Sequence, residues 1–510
     1  MTDIGKDEQR RIDFVYNAIQ QHKGSEEYKI ALIARDYDRQ QNTTMVNFQK
    51  TITKITGEVI PDNYSASYKM CSNFYNRLTT QRVQYSLSNG VKWTGRTVEV
   101  PFGTPGANKK IVYEVDNKDN VMMKEKWQIS IPTGISEKLG KNFDTKMQEL
   151  CKAGLDGGVS FGFLDVKNRK KDQPETYNMR VFPVTEFVPL YDEENGSLRA
   201  GIRWVQVDNK KPLRATLYEE DGFTEYIWYK REEGGSHNPQ GMVYKDKRPY
   251  KLEKAEAGSV DEGEIYNGEN YPSFPIVPFF SNKHKLSAII GMREPIDAYD
   301  LTKNGYTNEL DNALVYWVLK GAAGFDDIEA SRFIQKLKQS GVVNIDGDQD
   351  VQAVPVNPPI EGREQLLNRI EKDIYKDFGA MDIEQVKSGA VTATQIKAAY
   401  EALETSADQF EYQIIDFLDR LAEVHGIEDT PTFTRHTLIN TTESIQSLLQ
   451  SAPYLTEDYV TTKILELYGD GDKADYIINQ RKVEELNRFG IGTDEEEAKQ
   501  KQEQQIEAEE

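Results

Sequence analysis

The chain has 510 residues, with 63 lysines and arginines against 84 aspartates and glutamates, for a formal net charge of -21. That length exceeds the roughly 250 residues at which single cores stop growing, so at least two modules are expected, and the acidic balance excludes a surface that grips phosphates all over. Two cysteines far apart in sequence, Cys71 and Cys151, exclude a disulfide framework or a thiolate metal cage and point to free thiols in a reducing compartment.

From Asp7 to Lys50 apolar residues recur at helical spacing, with Ile12, Val15, Tyr16 and Ile19 on one face, then Tyr28, Leu32, Ile33 and Tyr37. A second helical stretch is predicted from Asn63 to Leu87, stopped by Ser88-Asn89-Gly90. Gly103 to Lys110, GTPGANKK, reads as a loop, and a helix near Ile135 to Ala153 precedes the glycine-rich GLDGGVSFGFLDV. Between Phe161 and Tyr250 the runs RVFPVTEFVPLYD, LRAGIRWVQVD, RATLYEE and FTEYIWYKR alternate apolar and polar residues and predict one antiparallel sheet. Its Trp204 and Trp228 are expected at core or half-buried strand positions rather than on a ligand-binding face. Gly235 to Gly241 is a predicted hairpin tip, and Ala255 to Asn270 a polar loop.

Ser273 to Leu319 is the most informative stretch. An apolar strand leads into a helix at Ser287 to Leu314 that is polar nearly all round. Such a helix has too narrow an apolar stripe to bury itself alone, so it is expected to bridge domains or pack beside copies of itself. A compact insertion follows: a helix from Asp326 to Gln339, a strand from Gly341 to Ile345, the turn Asp346-Gly347-Asp348, and a strand from Val351 to Val356. The next helix, Glu361 to Phe378, sets Leu366, Leu367, Ile370, Ile374 and Phe378 on one side.

Gly379 to Val391 loses helical regularity, and Thr392-Ala393-Thr394-Gln395 then forms a capping box that opens a new helix. Apolar residues from Ile396 to Val424 recur at three and four for about eight turns, up to His425-Gly426. A strand at Thr432 to Leu438 and helices near Thr442 to Ser451, Glu457 to Tyr468 and Asp475 to Asn487 complete the pattern. From Asp494 the tail has no apolar face and is expected to be disordered or a frayed, solvated helix.

No phosphate-cradling G-x-x-x-x-G-K-[ST] loop, H-E-x-x-H, C-x-x-C or G-x-S-x-G run is present, and five scattered histidines suggest no triad. No metal or other cofactor is expected. Asp346, Asp348 and Asp350 alternate like the start of a calcium loop, but Gly347 falls too early and no glutamate sits at the twelfth position, so a hairpin turn is the expectation. Lys167, Arg169, Lys170 and Lys171 form a basic run at a hairpin tip, where a solvated loop is expected before a phosphate contact. No apolar run approaches the roughly 20 residues of a spanning helix, and the first residues are polar, unlike a signal peptide.

The order of parts resembles the portal proteins of tailed bacteriophages, of the kind found in the Bacillus phage SPP1. The resemblance rests on SFPIVPFFSN with the helix from Ala288 to Ala313 and VYWVLKGA, on SGAVTATQIKAAYEALETSADQFE, and on FTRHTLINTTESIQSLLQSAPYLTEDYV. These blocks are collinear over roughly Asn63 to Gly490 and weakest from Val91 to Asn270.

The resemblance implies an α+β subunit of a ring of about twelve copies at one capsid vertex, through which double-stranded DNA enters and leaves. Residues 1–286 would form a wing of helices and antiparallel sheet, 287–312 a stem helix, 313–360 a small α/β clip and 361–378 the second stem helix. Residues 379–391 would be a tunnel loop, 392–426 a long wing helix, 427–493 a helical crown and 494–510 the polar tail. It further implies DNA contact at Lys387, Ser388 and Gly389, where one weak cation per subunit lets a duplex slide. Docking of the terminase large subunit, and later of a head-completion or adaptor protein, is expected on the clip, through Arg332, Lys336, Lys338, Asp346 and Asp348. Major capsid and scaffolding proteins are further expected partners, with no membrane, in a virion component assembled in the host cytoplasm. Asp300, Glu309, Asp311, Glu371 and Asp373 are equally open to the channel lumen or to outward, ion-paired positions. Another head or tail connector component, and an enzyme, for instance a carbohydrate-active one, on the tryptophan-bearing sheet, are the alternatives.

Overall fold

The computed structural model describes residues 8–53, 57–62, 67–93, 95–101, 108–115, 121–131, 135–167, 176–208, 211–229, 240–252, 268–311, 315–320, 332, 350–355, 360–382, 393–433, 435, 441–468, 474, 477–478 and 480–482. The chain divides into two compact units, one of residues 1–382 and 400–436, the other of 383–399 and 437–510.

The first unit opens with α1 (Glu8–Gly24), α2 (Glu26–Asp38) and α3 (Thr43–Asn47), where one long helical stretch was expected. Ser25 makes the break: its Oγ accepts the Tyr28 N–H at 3.2 Å, which caps α2 and ends α1. A short hairpin, β1 (Thr51–Thr53) with β2 (Val59–Pro61), follows. The helix predicted from Asn63 is confined to α4 (Phe74–Leu87), because the described residues before it, 67–73, are held non-helical by side chains of a later helix.

Next come β3 (Val91–Trp93), β4 (Arg96–Val100), β5 (Asn108–Val115) and β6 (Val121–Ile131), with β4, β6 and β5 forming a sheet the alternation pattern did not reveal. Asn108 to Lys110, expected in a loop, begin β5. The predicted helix near Ile135 is two, α5 (Ile135–Leu139) and α6 (Phe143–Gly157). Lys152 of α6 ion-pairs with Asp38 of α2 and lies 3.8 Å from Asp156, while Tyr75 of α4 donates to Asp156 Oδ1 at 2.9 Å. Burial pushes the Asp156 carboxyl up to about 6, with Lys152 opposing the shift.

The region read as one sheet is divided between two. β7 (Val159–Lys167) and β8 (Thr176–Pro183) form a hairpin, whereas β9 (Phe187–Tyr191), β10 (Leu198–Val205), β11 (Leu213–Glu219), β12 (Gly222–Tyr229) and β13 (Gln240–Arg248) form a separate antiparallel meander. The turn between β8 and β9 carries the chain across, and Phe187 joins the two cores, 4.4 Å from the Phe161 ring and 5.7 Å from Phe182. Helix α1 lays Ile12, Val15 and Ile19 on the meander, with Tyr16 against Trp228 at 6.1 Å and Tyr28 of α2 against Trp204 at 6.3 Å. Both tryptophans are therefore buried and present no sugar-binding face.

The short pair β14 (Lys251–Leu252) and β15 (Gly268–Glu269) leads to β16 (Ile276–Phe280), which joins β7 on the side away from β8. Ser281 to Met292 form turns, because Ser287 Oγ donates to the Asp156 carbonyl at 2.6 Å and Ala288 N–H to Leu155 O at 2.8 Å. The long polar helix accordingly starts later than predicted, as α7 (Arg293–Asp311).

β17 (Val315–Lys320) pairs with β18 (Asp350–Pro355) through all six residues. The predicted hairpin partner of this second strand, Gly341 to Ile345, lies outside the described residues. Then follow α8 (Ile360–Phe378), α9 (Ala393–His425) and β19 (Pro431–Phe433), paired with β3. Phe410, Ile414, Phe417, Leu418 and Leu421 of α9 enter the main core, where Phe279 of β16 meets Phe410 and Phe417 edge-on. In the second unit α10 (Thr441–Ser451) and α11 (Glu457–Tyr468) match their predicted spans closely. Among the described residues, no helix is long and apolar enough to cross a membrane.

Candidate functional site at the helix pair and the loop root

Helix α7 is polar nearly all round, and the structure shows what one side of it binds. Asp300, Asn304 and Asn308 recur every fourth residue, so they stack on one face about 6 Å apart. Residues 67–73, which form neither helix nor strand, pass beside them, and alternate backbone groups of an extended chain recur at about 6.6 Å. The two periods match closely enough for a ladder: Tyr68 N–H donates to Asn308 Oδ1 at 2.7 Å, Met70 N–H to Asn304 Oδ1 at 2.7 Å, and Ser72 N–H to Asp300 Oδ1 at 3.0 Å. Asn304 Nδ2 returns a bond to Met70 O at 2.8 Å, so a side-chain amide pairs with a residue much as a neighbouring strand does. One turn earlier, Asp297 Oδ2 accepts from Thr44 at 2.7 Å and Asp297 Oδ1 from the Tyr37 hydroxyl at 2.5 Å.

This ladder decides part of the lumen question. Asp300 is fully buried, accepts from Asn42 Nδ2 and Ser72 N–H, and is raised by desolvation against those hydrogen bonds. It cannot face a channel. Glu371 is half-buried and Asp373 exposed, while the side chains of Glu309 and Asp311 lie outside the described set.

Helix α8 packs along α7 and buries Ile374, Tyr375 and Phe378 against Phe74 and Leu78 of α4. Its predicted apolar side is only partly covered: Leu367 and Ile370 are half-buried and Leu366 is 46% exposed. The helix ends in a Schellman motif. Gly379 adopts φ +66°, its N–H donates to Lys376 O at 3.1 Å, and Ala380 N–H donates to Tyr375 O at 2.9 Å.

Two residues of α4 then hold the first residues of the expected tunnel loop. Gln81 takes both backbone groups of Met381, donating from Nε2 to the carbonyl at 2.9 Å and accepting its N–H at 3.0 Å. Arg82 donates to Phe378 O and stacks 4.0 Å over the Phe378 ring, and burial lowers its guanidinium to about 10. The loop root is thereby a fixed point. Lys387, Ser388 and Gly389 themselves lie outside the described residues, as do Lys336, Lys338, Asp346 and Asp348 of the expected docking set. Arg332 is helical and exposed, and no other member of that set is described beside it.

Elsewhere, a cleft of about 940 Å³ opens between β16 and α9, with Arg199, Lys283, Lys285 and Arg420 among its lining. Arg420 is paired with Asp416 and Arg199 with Asp192, each at 2.9 Å, so both arginines are met within the chain. Among the described residues no three histidine, cysteine or carboxylate groups are placed to hold a metal ion.

The sequence from residue 4 to residue 455 matches the family described as phage portal protein, SPP1 Gp6-like. The chain belongs to this portal family. The portal protein of Bacillus phage SPP1 is 22% identical over 336 residues, 62% of each chain, and that of Clostridium phage phiCD119 is 23% identical over 187 residues, 34% of this chain and 41% of the relative. The chain thus aligns with less than two thirds of the length of either relative. Among solved structures, an HK97 family phage portal protein from Corynebacterium diphtheriae aligns at a TM-score of 0.33 and 11% identity, covering 70% of this chain and 89% of that one. The neck of a native GTA particle, computed with C12 symmetry, aligns at 0.34 and 12% identity, covering 64% and 80%.

The residues of this region that pattern reading missed are scaffolding ones: Asn304 and Asn308 of the ladder, and Gln81 and Arg82, which bond the backbone of Met381 and Phe378. The ladder had a visible signal in its Asp/Asn repeat at every fourth position. Gln81 and Arg82 had none, since their targets are backbone groups about three hundred residues away.

Proposed function

We propose that the chain assembles into a ring of about twelve copies at a capsid vertex and conducts double-stranded DNA during packaging and ejection. The single observation that carries this reading is membership of the portal family across residues 4–455. The order of the described elements supports it: a polar helix, a segment containing the β17–β18 pair, a second helix packed on the first, then a helix of 33 residues. On this reading α7 and α8 form the stem, residues 313–360 the clip that docks the terminase large subunit and later an adaptor, and residues 379–391 the tunnel loop. Major capsid and scaffolding proteins contact the outer parts of the ring, and the assembled protein resides in the virion.

The physics of conduction asks for a passage that repels more than it binds. A net charge of -21 per chain provides the repulsion, and a ring of single cations such as Lys387 provides weak contacts that salt readily releases. The rigid loop root at Gln81 and Arg82 supports this role, because a contact that meets moving DNA needs a fixed base. Trp204 and Trp228, which carried the enzyme alternative, lie buried beneath α1 and α2.

The test is native mass together with negative-stain electron microscopy of the purified full chain. Rings of about twelve copies with a central channel support the proposal. A stable monomer at high concentration refutes it.

A further inference from the structure

Helix α8 has a solvent face that the chain itself leaves unfinished. At roughly 100° per residue, Arg369, Lys372 and Lys376 fall on one stripe, while Leu366, Asp373 and Asp377 fall on another roughly 90° away around the helix. All six are exposed. Arg369 and Asp373 approach each other at 3.8 Å, with Arg369 still 82% exposed. Lys372, Lys376 and Asp377 have no ion-pair partner among the described residues. The face therefore combines a cationic flank with an anionic flank that carries an uncovered leucine.

Simple solvation accounts for the charges but not for their sorting into stripes, nor for Leu366 on the flank where the packing of α7 and α4 runs out. A polyanion would favour the cationic flank and be repelled by the other. A surface with opposite signs on its two flanks is complementary to itself when copies follow one another head to tail, the arrangement that closes into rings. Paired charges beside an apolar seam play the same part in coiled coils, where they set partner and orientation.

We infer that this face of α8 is a contact between neighbouring copies of the chain: Arg369, Lys372 and Lys376 of one copy face Asp373 and Asp377 of the next, with Leu366 covered between them. The inference rests on the ring reading above and adds the residues that select the neighbour.

Two full-length variants test it. R369E/K372E/K376E makes both flanks acidic, and D373K/D377K makes both basic. Circular dichroism first establishes that each keeps the wild-type helix content. Native mass spectrometry at low salt is then expected to show each variant alone as monomer where wild type is ring, and an equimolar mixture of the two restored to rings of even number. Rings formed by either variant alone at wild-type concentration would overturn the inference. If those rings also released DNA at lower salt than wild type for R369E/K372E/K376E only, nucleic acid would be the occupant of the face. A wild-type chain that forms no ring would instead refute the portal function itself, so the two failures are separable. A variant that loses helix content is replaced by its single-site form, K376E or D377K, for which a partial loss of ring at raised salt is the expected result.

Discussion

Replacing Asn304 by alanine tests whether side chains hold residues 67–73 against α7. The substitution removes the acceptor for Met70 N–H, the donor to Met70 O at 2.8 Å, and a bond from Nδ2 to Asp300 O at 2.7 Å. The Asp300 carbonyl sits within the helix ladder, so only the two groups of Met70 lose their partner. Each unmatched buried group costs roughly 1–3 kcal/mol. Met70 is 38% exposed, and water reaching it brings the expected total to about 2–3 kcal/mol. Asn308→Ala loses one bond, to Tyr68 N–H, and is expected to cost about 1 kcal/mol. Hydrogen exchange of peptides covering residues 67–73 reads this locally: Asn304→Ala should speed exchange at least roughly thirtyfold, by the 1.4 kcal/mol per decade rule, and Asn308→Ala about fivefold. Wild-type exchange rates in Asn304→Ala, or rates no faster than in Asn308→Ala, would refute the ladder as the element that holds this segment.

Gly158 has φ +78°, and a Cβ there would meet Lys285 O at 2.3 Å, a backbone atom that cannot swing aside. Gly158→Ala should lower stability by about 2–4 kcal/mol, seen as a fall in thermal midpoint, and an unchanged midpoint would show that the 281–287 turn yields freely. His425 lies between the rings of Tyr177 and Tyr271 with neither ring nitrogen hydrogen-bonded, and desolvation, with a smaller push from Lys251, lowers it to about 4. Because the folded value lies below the ordinary 6.5, its contribution is fully present above about pH 6.5 and is lost as pH falls toward 4, to a limit of about 3 kcal/mol. His425→Phe should flatten urea stability across that window, and an unaltered acid slope would place the sensitivity elsewhere.

Much of the architecture was legible because it is written in local periods. The spans of α8, α9, α10 and α11 follow from apolar residues at three and four, and the meander strands from alternation, since both patterns depend on side chains meeting the same core. The misses share a different cause. Helix α4 begins at Phe74 rather than Asn63, and α7 at Arg293 rather than Ser287, because hydrogen bonds from remote residues hold the preceding backbone in other conformations. The strand pattern between Phe161 and Tyr250 could not say that β8 and β9 belong to different sheets, since alternation reports a buried face and not which layer buries it.

By itself the sequence determined the α+β class, the order of helices around a central insertion, the acidic balance and the kinship with portal proteins. Each of these depends on residue type and spacing along the chain. Only the tertiary structure decided which polar residues are spent inside the subunit and which remain for partners. Asp300 and Asn304 look as solvent-ready in sequence as Lys372 and Asp377, yet the first two are buried and bonded to a segment more than two hundred residues away and the latter two are not. Polarity is a property of the residue, whereas the availability of a polar group depends on what the folded chain brings against it.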